Sequence, residues 1–187
     1  MSSIDRSVLA PIPGAVAGAA AYLLGYLVMY LGQTDRIRDV LEGLNTLLEL
    51  FGGDPIPAWK AVGWLFYNAH FVSLTYPALG GGRVGRNVIA SGNAPGLFYL
   101  LPPLLLLAAG AILARYAGAT EAVDGALAGG SVAAGYAPLA IAGLFAFRVT
   151  IGDATVAPDL VTGVLLAGIV YPQIVGGIGG ALATLAR

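Results

Sequence analysis

Residues Trp59–Pro77 read WKAVGWLFYNAHFVSLTYP, and their placement decides how the rest of the chain is arranged. The stretch is nearly apolar enough for a membrane-spanning helix, yet it contains Lys60, Asn68 and His70. Burying an unpaired Asn or His at the centre of a bilayer costs several kcal/mol, and aromatic rings with polar tips favour the headgroup level. We therefore expect an interfacial or loop-borne helix over residues 57–73, with a fifth membrane span as the alternative.

The composition of the whole chain indicates a lipid environment. Of its 187 residues, 58% are hydrophobic and 10% are charged, and the mean hydropathy is +0.83. This is more apolar surface than a soluble domain of that length can bury in one core. The charged residues are also clustered, and they leave four charge-free runs, each longer than the roughly 20 residues that a helix needs to cross a bilayer. These runs are residues 7–34, 87–114, 125–147 and 160–186.

Long apolar runs in lipid must pair their backbone polar groups internally, and a helix does so within one segment. The sequence therefore predicts an all-α, polytopic helix bundle that forms one membrane domain over residues 1–187. Its spans are expected at residues 8–31, 97–116, 125–147 and 160–185. This fold implies a multi-pass protein of the cell membrane, with the bilayer as its first partner. A homo-oligomer or a membrane protein partner stays open, whereas a net charge of -1 offers no basic face for nucleic acid.

Residues 33–95 form an insert between the first two predicted spans. Within it, residues 34–51 place apolar side chains on one helical face and charged side chains mostly on the other, which predicts an amphipathic helix. Its polar face carries both signs of charge, so packing on the protein's own second helix is favoured over adhesion to anionic lipid. The part from Arg83 to Gly96 contains several helix breakers, and Val84 and Val88-Ile89 allow a short extended piece.

Few residues in this chain can carry chemistry. It has no cysteine and one histidine, and it contains no phosphate-binding loop, HExxH motif or nucleophile elbow, so we expect no enzyme, cofactor or metal site. The densest polar cluster in an apolar setting consists of Lys60, Tyr67, Asn68 and His70. It is either a pH-sensitive or solute-contacting site, because histidine titrates near neutrality, or part of an interfacial helix whose polar atoms meet water or backbone.

A second candidate site lies near the middle of the last predicted span, at Tyr171, Pro172 and Gln173. A proline there frees a backbone carbonyl, and an amide at that depth is able to line a solute path. The alternative is a purely structural kink.

Two further patterns concern how the helices pack. Gly14 and Gly18 have the small-residue spacing that lets two membrane helices approach closely, although in a chain with 28 glycines chance occurrence of that spacing is the favoured interpretation. The pair Pro102-Pro103 predicts a bend in the second span, because proline removes a hydrogen bond one turn back.

A resemblance to a known family rests on three stretches. They are FYNAHFV at Phe66–Val72, LFYLLPPLLLL from Leu97 onwards, and the glycine-rich span 125–147. Together they resemble a haloarchaeal family of small, uncharacterised multi-pass membrane proteins, whose members are often labelled provisionally as transporters. The resemblance implies movement of a small solute or ion and carries over no catalytic or binding residue. The rival hypothesis is a non-transporting accessory or structural subunit that docks a partner through the 33–95 insert.

Overall fold

The structure is a computed structural model that describes residues 11–78 and 80–186. Its α-helices are α1 (Pro11–Leu50), α2 (Ala58–Asn68), α3 (Leu101–Tyr116), α4 (Ala122–Gly130), α5 (Ala133–Ala146), α6 (Leu160–Thr162) and α7 (Gly176–Leu185). A 3-10 helix, Gly96–Leu100, leads into α3, and a π-helical segment, Gly163–Val175, joins α6 to α7. The strands are β1 (Leu74–Pro77), β2 (Arg83–Arg86), β3 (Val149–Ile151) and β4 (Ala154–Pro158).

Within the described residues, four helical stretches are long and apolar enough to cross a membrane, as the sequence predicts. They are Ile12–Leu50, Gly96–Tyr116, Ala122–Ala146 and Leu160–Leu185. In contrast, α2 has 11 residues, which is far short of the roughly 20 that a span requires. The alternative of a fifth span at this position is therefore not what the structure shows.

The first apolar stretch and the amphipathic residues that follow it form one continuous helix, α1. Thr34 does not begin a new helix, because its hydroxyl donates to the carbonyl of Tyr30, one turn back in the same helix. With 40 residues, α1 is about 60 Å long, so its last turns extend beyond the bundle. There Leu41 packs with Ile56 and Ala61, and this is the predicted packing of the amphipathic face on the second helix.

The prediction of an all-α fold is wrong in one respect, because the chain also forms a small antiparallel sheet. The strand order is β2-β1-β4-β3, with Leu74 of β1 opposite Arg86 of β2 on one side and opposite Pro158 of β4 on the other. The insert supplies two strands, and the link between the third and fourth apolar stretches supplies the other two. Strand pairing of this kind depends on a partner far away in sequence, which a local pattern does not reveal.

Glycines let the apolar helices approach until their backbones touch. A Cβ atom on Gly18 would overlap the carbonyl oxygen of Val132, and one on Gly135 would overlap that of Ala15. The spacing of Gly14 and Gly18 is therefore a real helix contact and not a chance pattern, and its partner is the start of α5 and the turn before it. Similar contacts join α7 to α3 and α4, at Gly110, Gly125, Gly129, Gly176 and Gly180.

The predicted bend at Pro102-Pro103 is wrong, because the two prolines lie in the first turn of α3. In that position the missing N–H groups would have no helical partner in any case, so proline is tolerated without a kink. Prolines inside helical elements are found at Pro138 in α5 and at Pro172 in the π-helical segment.

Candidate functional site

Helix α2 enters the helix bundle and runs down beside α5 in the opposite direction. At its start, the Lys60 ammonium donates to the carbonyl of Arg148, 2.8 Å away, just past the end of α5. One turn on, the Trp64 indole donates to the carbonyl of Phe147 at 2.7 Å. The Tyr67 hydroxyl then donates to the carbonyl of Ala140, well inside α5. The helix therefore leads from one end of the bundle towards its middle.

His70 lies just after α2, near mid-length of the apolar helices. Its ring is 5.9 Å from that of Tyr136, near the middle of Ala122–Ala146, and 5.2 Å from that of Tyr171, near the middle of Leu160–Leu185. The structure thus brings together one residue from each of the two candidate sites. These three side chains, His70, Tyr136 and Tyr171, are called the central cluster below.

Asn68 and His70 are buried inside the protein and not in contact with water at its surface, as an interfacial helix would place them. Asn68 is 0% exposed and His70 is 1% exposed, and both are enclosed by apolar helices. Burial is tolerated because their polar atoms find partners inside the protein, as polar groups away from water must. Within the described part of the chain, every buried side-chain nitrogen and oxygen has a hydrogen-bond partner.

Several of these buried polar groups form hydrogen bonds with the last backbone carbonyls of α2. The last carbonyls of a helix have no partner within it, which is costly where the helix ends inside an apolar bundle. Here the Phe66 carbonyl accepts from the His70 Nδ1 at 2.8 Å, and the Asn68 carbonyl accepts from the Asn87 amide at 2.9 Å. The Tyr67 carbonyl accepts from the backbone N–H groups of His70 and Val72. Two side chains thus complete the cap that backbone turns begin.

The hydrogen bonds of His70 fix its tautomer. A carbonyl oxygen only accepts, so the bond to Phe66 places the ring proton on Nδ1. In the neutral ring, Nε2 is then an acceptor, and the Tyr136 hydroxyl donates to it at 2.6 Å. The neighbouring hydroxyls of Tyr22 and Tyr67 are 3.4 Å apart, and Tyr67 has its proton committed to Ala140, so Tyr22 is the donor.

A comparison with family models covers almost the whole chain, with a match over residues 3–187. The chain belongs to DUF7978, a family of unknown function. No curated protein and no solved structure matched in the corresponding searches.

In this DUF7978 protein, His70 is held in its neutral form. Burial lowers the pKa of His70 from its ordinary 6.5 to about 4, while the bond to the Phe66 carbonyl opposes that shift. The rings packed around it, those of Phe66, Tyr67, Tyr136 and Tyr171, carry no formal charge at neutral pH. A proton placed on His70 would therefore reverse the bond to the Tyr136 hydroxyl and leave a charge among aromatic rings.

The other candidate residues of this DUF7978 chain lie outside the central cluster. Lys60 is at the far end of α2, at the mouth of the bundle. Gln173 is exposed on the outer surface, next to Val123 and Leu127 of α4, whereas Pro172 is buried. The amide of Gln173 therefore does not line an interior path in this structure.

Sequence reasoning missed two residues that shape the site. Tyr136 was unremarkable in a glycine-rich helix, and no local pattern pairs it with a histidine 66 positions away. Asn87 begins the turn that follows β2, and its Oδ1 accepts from the N–H groups of Ile89 and Ala90. An asparagine among helix breakers is a local signal for such a turn. No local signal, however, predicts that the side chain of Asn87 also donates to the carbonyl of Asn68 at the end of α2.

Proposed function

We propose that this DUF7978 protein is a multi-pass integral membrane protein that moves a small solute or ion through its helix bundle, with the central cluster at the middle of the path. The observation that carries the proposal is the ending of α2 at a fully buried, ionisable side chain near mid-length of the apolar helices. Interrupted helices that meet at mid-membrane, and ionisable groups at that depth, are typical of solute and proton pathways.

The π-helical segment supports the same location. π-Helical geometry is rare and is found mostly at functional sites, and here it covers Gly163–Val175. The ring of Tyr171, in this segment, lies 5.2 Å from the ring of His70. An interrupted helix and a π-helical segment therefore meet at one histidine.

The proposal requires the central cluster to open, because it is closed in this structure. Tyr171 is half-buried, and Phe71 stacks on Tyr99 at 4.2 Å where α2 ends. Separation of Phe71 from Tyr99 would expose the end of α2, and movement of the π-helical segment would expose the other side of His70. We propose these two contacts as the gates of the path.

The test is proton flux into proteoliposomes that contain a pH-sensitive dye, driven by a potassium diffusion potential. We expect the wild type to exceed empty liposomes, and His70→Asn to fall to their level. Asparagine keeps a donor near the Nδ1 position for the Phe66 carbonyl, so the cap of α2 is preserved while the titrating group is lost. Tyr136→Phe removes the hydroxyl that donates to Nε2 of His70 and keeps the aromatic ring.

Flux should also rise as the pH falls, because the pKa of His70 is lowered to about 4. The protonated fraction then increases about tenfold per pH unit between about pH 7 and about pH 5. Wild-type flux at the level of empty liposomes, or unchanged flux in His70→Asn, would contradict the proposal. Matched detergent elution profiles for both variants are the control for folding.

A second candidate function is a non-transporting subunit that docks a partner through the insert. The observation that favours it is the apolar surface on the last turns of α1 and just after them, where Val40, Leu47 and Phe51 are 75%, 53% and 88% exposed. Contiguous exposed apolar side chains mark interaction sites. Purification in mild detergent should then recover a second polypeptide in stoichiometric amount, and recovery of a lone protomer or homo-oligomer would count against this function.

A further inference from the structure

A groove of about 310 Å³ lies between α1, α2 and the loop that leads to α3. Its walls are apolar and include Ile37 and Val40 of α1 and Ala61, Trp64 and Leu65 of α2. Ligand pockets usually begin at about this volume and have mostly apolar walls with a few polar groups. The polar groups here are Gln33, Arg36 and Asn93.

The groove lies where the lipid-facing surface of the bundle would end. On α1 it begins just past Leu31, which is 73% exposed, and across from it the loop continues into Leu97, which is 65% exposed. If these helices cross a membrane, as proposed above, residues one turn beyond such side chains lie at the headgroup level. Trp64 in the groove wall fits that level, because indole rings concentrate at the interface.

Arg36 is a guanidinium without a carboxylate partner in the described residues. Its Nη2 donates to the backbone carbonyl of Asn93 at 3.4 Å, which is a long contact. Two positions on, Arg38 forms an ion pair with Asp35 at 3.3 Å, and no other ion pair is found among residues 12–78 and 80–186. Guanidinium groups bind phosphate oxygens in a bidentate manner, so Arg36 is suited to bind a phosphate group at the edge of the groove.

We infer that this groove binds one hydrocarbon chain of an anionic membrane phospholipid, whose phosphate is held by Arg36. The inference rests on the membrane-spanning arrangement proposed above, but not on transport. The apolar walls of the groove would contact the hydrocarbon chain of the lipid, and the Arg36 guanidinium would bind its phosphate. Because the groove lies at the headgroup level, both contacts can form at the same time.

The test uses quenching of tryptophan fluorescence by lipids with brominated chains. The chain has two tryptophans, so a Trp59→Phe variant leaves Trp64 in the groove wall as the only reporter. This variant is reconstituted in two kinds of bilayer made of phosphatidylglycerol and phosphatidylcholine. In one the phosphatidylglycerol carries brominated chains, and in the other the phosphatidylcholine does. We expect stronger quenching by the anionic lipid, with a preference of about fivefold in apparent affinity, as one interfacial arginine provides.

Two matched pairs of variants locate the effect in this groove. Arg36→Gln should abolish the preference, whereas Arg38→Gln, two positions away and paired with Asp35, should keep it. Val40→Asp should weaken quenching by both lipids, because it places a carboxylate in the apolar wall. Leu50→Asp is its control, since Leu50 is equally exposed, at 75%, and lies outside the groove.

Equal quenching by both lipids, or a preference that survives Arg36→Gln, would overturn the inference. Quenching by neither lipid would also contradict the membrane-spanning arrangement. Proton flux is measured separately, so the loss of the lipid site and the failure of the transport proposal are distinguishable.

Discussion

Phe71 adopts a φ of 60°, a left-handed backbone conformation that is ordinarily found in glycine. It follows the last turn of α2, and its N–H bonds to the carbonyl of Asn68 while that of Val72 bonds to the carbonyl of Tyr67. These two bonds define a Schellman motif, in which glycine usually takes the place of Phe71. The ring stacks almost parallel on Tyr99, so the side chain gains a contact that glycine would not have.

The strain at Phe71 can be measured with two substitutions that both remove the ring. We expect Phe71→Gly to be more stable than Phe71→Ala by about 1 kcal/mol, because only alanine retains the left-handed penalty of a Cβ atom. Unfolding by sodium dodecyl sulfate in mixed micelles measures the difference.

The control for that pair is Ala69→Gly, at a right-handed position with a φ of -67°. There glycine should destabilise the protein, since it loses helix propensity and a buried methyl group. A Phe71→Ala variant as stable as Phe71→Gly would show that position 71 is not left-handed in solution.

Some properties of His70 follow from its residue type and its neighbours in sequence, and others do not. A lone histidine in an apolar aromatic stretch indicated an unusual group, and its identity alone predicted titration near neutrality. Its burial and neutral form follow from the carbonyl of Phe66, the hydroxyl of Tyr136 and the surrounding rings. The Phe66 carbonyl is only four residues away, but Tyr136 and Tyr171 come from helices distant in sequence, so no local pattern contained those two contacts.

At the scale of elements, contacts between helix backbones hold the bundle together. Lipid gives apolar helices no hydrophobic reason to associate, so close packing at small residues is what brings them into contact. α1 shows the contrast within one helix, because Gly18 faces the carbonyl of Val132 while a Cβ on Gly32 would meet nothing within 4 Å.

Alanine at these two glycines should therefore have opposite effects. Gly18→Ala should destabilise the protein by about 1–3 kcal/mol, because the added methyl group overlaps backbone that has to shift. Gly32→Ala should stabilise it by up to about 1 kcal/mol through helix propensity. Both are measured by unfolding in mixed micelles, and equal effects of the two substitutions would contradict the contact between α1 and the turn before α5.

For the whole molecule, α2 and β1 form a loop that enters the bundle and returns to the same end. Asp54 precedes α2 and Arg86 ends β2, while Asp153 lies in the turn that joins β3 to β4, and β4 pairs with β1. These three residues therefore lie on one side of the four apolar stretches. Thr120, in the link between α3 and α4, lies at the opposite end.

Cysteine accessibility tests this arrangement directly, because the chain has no cysteine of its own. In sealed vesicles, a membrane-impermeant maleimide should label Asp54→Cys, Arg86→Cys and Asp153→Cys from the same side, and Thr120→Cys from the other. A fifth span between residues 54 and 86 would instead place Asp54→Cys and Arg86→Cys on opposite sides.

The sequence by itself determined the helical character of the chain and its four long apolar stretches, whereas the close packing at Gly14 and Gly18 was decided by the structure. Hydropathy acts within one or two helical turns, so it can be read locally. The tertiary structure alone decided that residues 57–73 enter the bundle, that the short extended piece at Val84 pairs into a sheet, and that His70 meets Tyr136. Those outcomes depend on whether a buried polar group finds a partner, and here the partners come from segments far away in the chain.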